Sequence, residues 1–160
     1  EIAGIDLPAG RTFFVAEENR VAADNPFTGE KLSVVVSLLR YREFDEAVDM
    51  VNRITGIAGS GHSCGIHTTD DQKVLKLATA VRTSRIMVNQ PQCLANSGAW
   101  TNGMPMTLTL GCGTWGNNST SDNINYEKLM NTTWVSWPVA STKPTDEELF
   151  GSEVLAEEWD

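Results

Sequence analysis

The chain has 160 residues, enough for one domain with a sizeable core, and 12 Lys and Arg against 21 Asp and Glu leave a formal net charge of -9. That balance opposes long-range attraction to phosphate backbones and anionic lipid, so nucleic acid and membrane surfaces are poor partners. Three widely spaced cysteines, Cys64, Cys93 and Cys112, with no CxxC pair, imply neither a disulfide framework nor a zinc knuckle and fit reduced thiols in a cytoplasmic protein.

In chain order, Glu1 to Ile5 reads as the frayed end of a helix before a glycine stop, as expected of a chain cut from a longer one. Residues 12–17 (TFFVAE) and 34–40 (VVVSLLR) have strand length and strand composition, the second apolar enough for burial on both faces. Asn25-Pro-Phe-Thr-Gly29 forms the loop between them. Asp45 is placed to cap a helix with Phe44, Val48, Val51 and Ile54 on one face, ending at Gly56. A strand over His62–His67 follows. Asp70 then caps a second helix with Val74, Leu77, Ala78 and Val81 on its apolar side, before a strand over residues 85–89. Strands and helices alternating at this spacing predict an α/β fold with a mostly parallel sheet and flanking helices.

Beyond Pro91 the sequence turns rich in Gly, Asn and Ser, broken by the alternating run Met104–Leu110, a candidate strand. A short helix near Tyr126–Met130 precedes residues 132–140, whose alternation around Trp134 and Trp137 predicts an edge strand open to a partner. Seven of the acids lie in residues 143–160 with a single lysine, and this stretch reads as a weakly ordered tail.

Gly111-Cys-Gly-Thr-Trp-Gly116 satisfies the GxGxxG pattern of dinucleotide loops, but that fingerprint needs a helix opening at the third glycine. Asn117-Asn-Ser-Thr-Ser121 follows instead, which favours a loop shaped for close packing. Cys64 lies near His62 without making a useful pair and reads as a small buried hydrophobe, while Cys93 and Cys112 have no histidine beside them. Two histidines, His62 and His67, with no acidic cluster do not make a metal site. Glu30 is a lone acid at the entrance of an apolar strand, where a carboxylate can accept hydrogen bonds from ribose hydroxyls or simply be solvated.

Two stretches carry a resemblance: Asn25-Pro-Phe-Thr-Gly-Glu-Lys-Leu-Ser33 and Leu108 to Asn123 with its GCGTWG block. Together they resemble the CoA-acylating branch of the aldehyde dehydrogenase superfamily. Gly61-His62-Ser63 and Arg85-Ile-Met-Val-Asn-Gln-Pro91 are similar to further segments of that branch, in the same order. Asn102–Leu110 with Asn131-Thr-Thr-Trp-Val135 resembles its sulfoacetaldehyde-oxidising members. The resemblance implies a partial catalytic domain over residues 1–131, an oligomerisation strand over 132–140 and an acidic tail over 141–160.

It also implies that Glu30 holds the nicotinamide ribose of NAD or NADP and that Leu32 stands where a Phe usually meets the nicotinamide. The whole enzyme would oxidise an aldehyde through a cysteine thioester and pass the acyl group to coenzyme A as a homo-oligomer. Sulfoacetaldehyde, succinate semialdehyde and a short aliphatic aldehyde such as acetaldehyde all remain open as substrates. The nucleophilic cysteine is expected upstream of Glu1, so no catalytic residue is assigned in this chain, which alone is expected to be inactive. The alternative is a non-enzymatic module that pairs through its terminal strand.

Overall fold

The structure, a computed structural model, describes residues 8–155, so the expected helix end at Glu1–Ile5 lies outside the described residues. The chain divides into two units, Glu1–Leu129 and Met130–Asp160.

The first unit contains two parallel strand pairs. β1 (Phe14–Glu18) pairs with β2 (Val35–Leu39), Val15 opposite Val36, and the crossover between them is the loop of residues 19–34 rather than a helix. α1 (Phe44–Ala58) then leads to β3 (Cys64–Ile66), α2 (Asp71–Ala80) and β4 (Ile86–Val88), and β3 pairs with β4, Cys64 opposite Ile86. The alternation of strand and helix is as the hydrophobic pattern predicts, but the strands form two separate two-stranded sheets rather than one continuous sheet.

The core lies between the two helices and the second sheet. Val48 from α1, Ile66 from β3, and Leu77 and Val81 from α2 are buried together, with Phe44, Val51, Cys64, Val74, Ile86 and Val88 packed around them. Burying an aliphatic side chain contributes up to about 1.5–3 kcal/mol over leaving it in water. Asp70 caps α2 as expected, its carboxylate accepting from the backbone N–H groups of Gln72 at 3.0 Å and Lys73 at 3.4 Å. α1 differs from expectation at both ends. Its cap is Glu43 rather than Asp45, and it runs past Gly56 to Gly59, whose positive φ of 116° turns the chain out of the helix. The interior Gly56 does not stop the helix, because a glycine lowers helix propensity without breaking the hydrogen-bond ladder.

Two further expectations are corrected. Residues 104–110 form no strand: only Leu110 makes an isolated bridge, to Asn123, because the backbone of this segment bonds singly to Ser97 and Ile124 rather than along a neighbouring strand. β2 is not buried on both faces either, since Val36 and Leu38 on one side are exposed while Val35, Ser37 and Leu39 on the other are half-buried.

Within the second unit, residues 131–145 carry no regular secondary structure, and Trp134, Val135, Trp137 and Val139 are exposed. α4 (Asp146–Leu155), interrupted by a non-helical Gly151, forms where composition predicts a weakly ordered tail. Its start is a reciprocal cap. The Glu148 backbone N–H donates to Thr145 Oγ1 at 3.2 Å, and the Thr145 backbone N–H donates to Glu148 Oε2 at 2.8 Å. Among the described residues, no helix is long and apolar enough to cross a membrane.

Candidate functional site

Glu30 sits at the end of a well-tied loop. Asn25 is buried, and its side-chain amide donates to Glu18 Oε2 at 3.0 Å and to the Arg20 carbonyl at 2.9 Å, while its Oδ1 accepts from the Phe27 N–H at 3.0 Å. That is the turn chemistry for which Asn is suited. Thr28, also buried, accepts from the Ala22 N–H at 3.1 Å. The Lys31 ammonium closes the far side by donating to the carbonyls of Phe27 at 3.0 Å and Gly29 at 2.8 Å. Glu30 therefore leaves a held backbone with its carboxylate exposed, and no other described residue hydrogen-bonds to it. Leu32, two residues on, is 93% exposed.

The Gly111–Gly116 loop is organised separately, around Arg85 at the entrance to β4. Arg85 is buried, and its guanidinium donates to Asn123 Oδ1 at 2.6 Å and to the carbonyls of His62, Gly111, Ser121 and Asp122 at 3.1, 2.7, 3.1 and 3.1 Å. Burial pulls its pKa down, opposed by Cys112 and Asp122, and it stays cationic because a guanidinium does not lose its proton in a protein. Asn123 in turn donates to the carbonyls of Asn96 and Pro105, each at 3.0 Å. One arginine and one asparagine thus tie four segments of irregular chain together.

The glycines of this loop are there for closeness. A side chain at Gly61 would approach the Cys112 carbonyl to 2.5 Å, one at Gly116 would run into the Cys112 Cβ, and one at Gly111 would run into the Thr120 carbonyl. The chain makes only a short 3-10 turn, Thr114–Gly116, which ends at the third glycine, and Asn117 follows it in the left-handed region. With no helix opening there, nothing presents the aligned amides that a pyrophosphate requires, and the packing reading of GCGTWG is the one that fits. Ser84 and Asp122 line two open clefts beside this loop, of about 360 and 440 Å³, and Glu30 lines neither.

Next to Arg85, Ser63 Oγ accepts from the side-chain amides of Gln92 at 2.5 Å and Asn96 at 3.2 Å and lies 2.7 Å from His62 Nδ1. With both lone pairs engaged, the serine proton points to Nδ1, which sets the neutral imidazole as its Nε2–H tautomer. His62 is therefore oriented and exposed, able to offer an N–H donor. Gly61-His62-Ser63 and Arg85 stand out in the sequence only by resemblance. An arginine entering an apolar strand beside a glycine-rich stretch is nonetheless the signal of a buried cation needing carbonyl partners.

The cysteines are dispersed. Burial pushes the Cys64 thiol above its ordinary 9.0, only partly offset by a weak hydrogen bond from Thr83, and its half-buried side chain packs against the core. Cys93 is exposed and Cys112 half-buried. Among the described residues, no three His, Cys, Asp or Glu side chains gather as a metal site.

No model of a protein family matches the chain. It is 49% identical over 125 residues to the sulfoacetaldehyde dehydrogenase of an Acholeplasma species, a match covering 78% of this chain and 26% of that protein. It is 39% identical over 149 residues to the sulfoacetaldehyde dehydrogenase (acylating) of Bilophila wadsworthia, covering 93% of this chain and 32% of that protein. Its fold matches an acetylating aldehyde dehydrogenase from Geobacillus thermoglucosidasius with a TM-score of 0.80 and 33% identity, over 90% of this chain and 32% of the other. A propionaldehyde dehydrogenase of Rhodopseudomonas palustris, solved with bound propionyl-CoA, matches at a TM-score of 0.57 and 27% identity over 74% of this chain and 25% of its own.

Fold and sequence together define a partial α/β domain of the aldehyde dehydrogenase class. Within that class the chain belongs to the CoA-acylating aldehyde dehydrogenases, and it spans about a third or less of the length of the relatives it matches.

Proposed function

We propose that this chain is a C-terminal portion of a cytoplasmic, homo-oligomeric enzyme that oxidises sulfoacetaldehyde to its acyl-CoA with NAD or NADP. The observation that carries the reading is the likeness to two sulfoacetaldehyde dehydrogenases over most of the chain. In this reading the nucleophilic cysteine belongs to the two thirds of the family's length that the chain does not span. A nicotinamide cofactor would there supply the hydride acceptor and coenzyme A the thiol that takes the acyl group from the cysteine, while this chain's Glu30 and Leu32 would hold the cofactor.

Three features of this chain fit such a role. The Glu30 carboxylate, held by a hydrogen-bonded loop and without a donor among the described residues, suits the acceptance of hydrogen bonds from ribose hydroxyls. Leu32 presents an apolar surface two residues away, fit for the face of a nicotinamide ring. Cys64 is withheld from nucleophilic work by its burial. We assign residues 132–140 to strand pairing between subunits, on the strength of the exposed apolar side chains of Trp134, Val135, Trp137 and Val139.

The test is CoA-dependent formation of NADH or NADPH from sulfoacetaldehyde, succinate semialdehyde and acetaldehyde. It compares this chain with a polypeptide extended upstream through the nearest cysteine that could act as nucleophile. Turnover of sulfoacetaldehyde by the extended polypeptide alone is expected. Turnover by the 160-residue chain would overturn the assignment of the nucleophile, and preference for another aldehyde would overturn the substrate.

A further inference from the structure

The pairing of the second sheet is interrupted just before β3. Gly61 bridges Thr83 and Cys64 pairs with Ile86, but the backbone N–H groups of His62 and Ser63 between them donate to no acceptor among the described residues. A break in a ladder re-aims the side chains it carries. The backbone stays fixed there, because the buried Arg85 guanidinium donates to the His62 carbonyl at 3.1 Å, while the imidazole stands exposed. Polar side chains converge on the inner edge of that ring. Ser63 Oγ, 2.7 Å from His62 Nδ1, accepts from Gln92 at 2.5 Å and from Asn96 at 3.2 Å. Asn96 is buried and held in turn: its Oδ1 accepts from Ser97 Oγ at 3.1 Å and its backbone carbonyl from Asn123 at 3.0 Å.

We propose that Ser63, Gln92 and Asn96 are positioning residues, a relay that locks His62 with its Nε2–H facing out of the chain as a donor to an acceptor oxygen of the acyl substrate or of coenzyme A. The inference rests on the proposed function. A hydroxyl whose lone pairs are both filled by amide donors has only its proton left to give, so Nδ1 accepts it and Nε2 carries the ring proton. The ring is then oriented by the hydrogen bond at its inner nitrogen, leaving the outer one free for a ligand. Fixing the tautomer of an exposed ring adds nothing to the core, and it serves whatever meets the ring from outside.

The relay is read by long-range proton–nitrogen NMR of the imidazole rings in this chain, which has two histidines, His62 and His67. His67→Gln assigns the signals. At about pH 9, above the ordinary histidine range, His62 is expected wholly as the Nε2–H tautomer and His67 as the mixture of a free imidazole. Ser63→Ala should return His62 to that mixture, and Ser63→Thr, which keeps the hydroxyl, should not. Gln92→Glu puts an acceptor where a donor stood, so the carboxylate takes the serine proton and His62 is expected to shift to its Nδ1–H tautomer. A mixed tautomer in the wild-type chain, or an unchanged one in a Gln92→Glu chain that is folded by far-UV circular dichroism, overturns the relay.

Kinetics of the upstream-extended polypeptide, with whichever of the three aldehydes it turns over, read the use of the donor. Ser63→Ala and Gln92→Glu should each lower kcat or raise the KM for coenzyme A about tenfold, the worth of one misplaced hydrogen bond, and Ser63→Thr should restore it. A fall in kcat at constant KM places the acceptor oxygen on the acyl group, and a rise in the KM for coenzyme A places it there. Unchanged constants, or a change confined to the KM for NAD or NADP, overturn the donor role. An extended wild-type polypeptide that turns over no aldehyde counts against the proposed function, while the tautomer of His62 still decides the relay.

Discussion

Arg85 and Asn123, 38 positions apart in the sequence, meet inside the first unit with Arg85 Nε 2.6 Å from Asn123 Oδ1, and both side chains are buried. Neither belongs to the hydrophobic core, yet together they hold the carbonyls of His62, Gly111, Ser121, Asp122, Asn96 and Pro105. The loop that bears GCGTWG is bonded by its backbone to Thr120 and Asp122, and this pair ties both stretches to the rest of the unit.

Arg85→Ala should destabilise the chain by about 3 kcal/mol in urea unfolding, because it strands several carbonyls that a charged donor satisfied. Arg85→Lys should recover less than half of that, since an ammonium cannot reproduce the planar fork. The Arg85→Ala, Asn123→Ala double variant should lose less than the sum of the two single losses, as members of one network do.

Glycines separate cleanly by environment. Gly61→Ala, where φ is +101° and the new Cβ would meet the Cys112 carbonyl at 2.5 Å, should cost about 2 kcal/mol or more. Gly56→Ala, inside α1 with open space around it, should stabilise by about 0.5–1 kcal/mol. Thermal melts of the two variants should move in opposite directions.

Thiol labelling under native conditions should follow burial and acidity. Cys93 is expected to react first because it is exposed, and Cys64 last because it is partly buried and its thiol is raised. Mass spectrometry of peptides after brief alkylation reads the order, and early labelling of Cys64 would contradict its place in the core.

At the surface, the Lys128 ammonium hydrogen-bonded to Asp122 holds that carboxyl below its ordinary 3.8, with Arg85 adding to the effect. A depressed carboxyl contributes stability that is present above 3.8 and is lost as pH falls through the folded value. The difference in Tm between wild type and Asp122→Asn should therefore be present at pH 7 and vanish in strong acid. A difference that persists undiminished below pH 2 would assign it to packing.

Glu30→Gln should leave the unfolding free energy of this chain within about 0.5 kcal/mol of wild type, since the carboxylate is exposed and has no partner among the described residues. In the extended enzyme the same change should weaken the nicotinamide cofactor roughly tenfold or more, the worth of a hydrogen bond to a charged acceptor. Equal cofactor KM values would remove Glu30 from the site.

How far the fold was legible depends on how local its cause is. Asp70 capping α2, the Val48 and Leu77 faces and the β3-α2-β4 unit follow from neighbours within about four residues, and periodicity reads them directly. The reciprocal Thr145–Glu148 cap was equally local, and its T-x-x-E spacing announces α4 against the acidic composition around it. Met104–Leu110 misled because alternation signals a strand only when another strand lies alongside, and here only Leu110 has a bridge partner.

By itself, then, the sequence determined the α/β class, the apolar faces of α1 and α2, the Asp70 cap of α2, the packing role of the GCGTWG glycines and the membership of the acylating family, all of which rest on short-range chemistry or on motif order. Only the tertiary structure decided that the strands split into two sheets, that the first sheet keeps a bare apolar face, and that Arg85 and Asn123 tie the GCGTWG loop to the segments around it. Those outcomes depend on which groups meet across 20 to 40 residues of chain, where each buried donor must find whichever carbonyl the fold brings within reach.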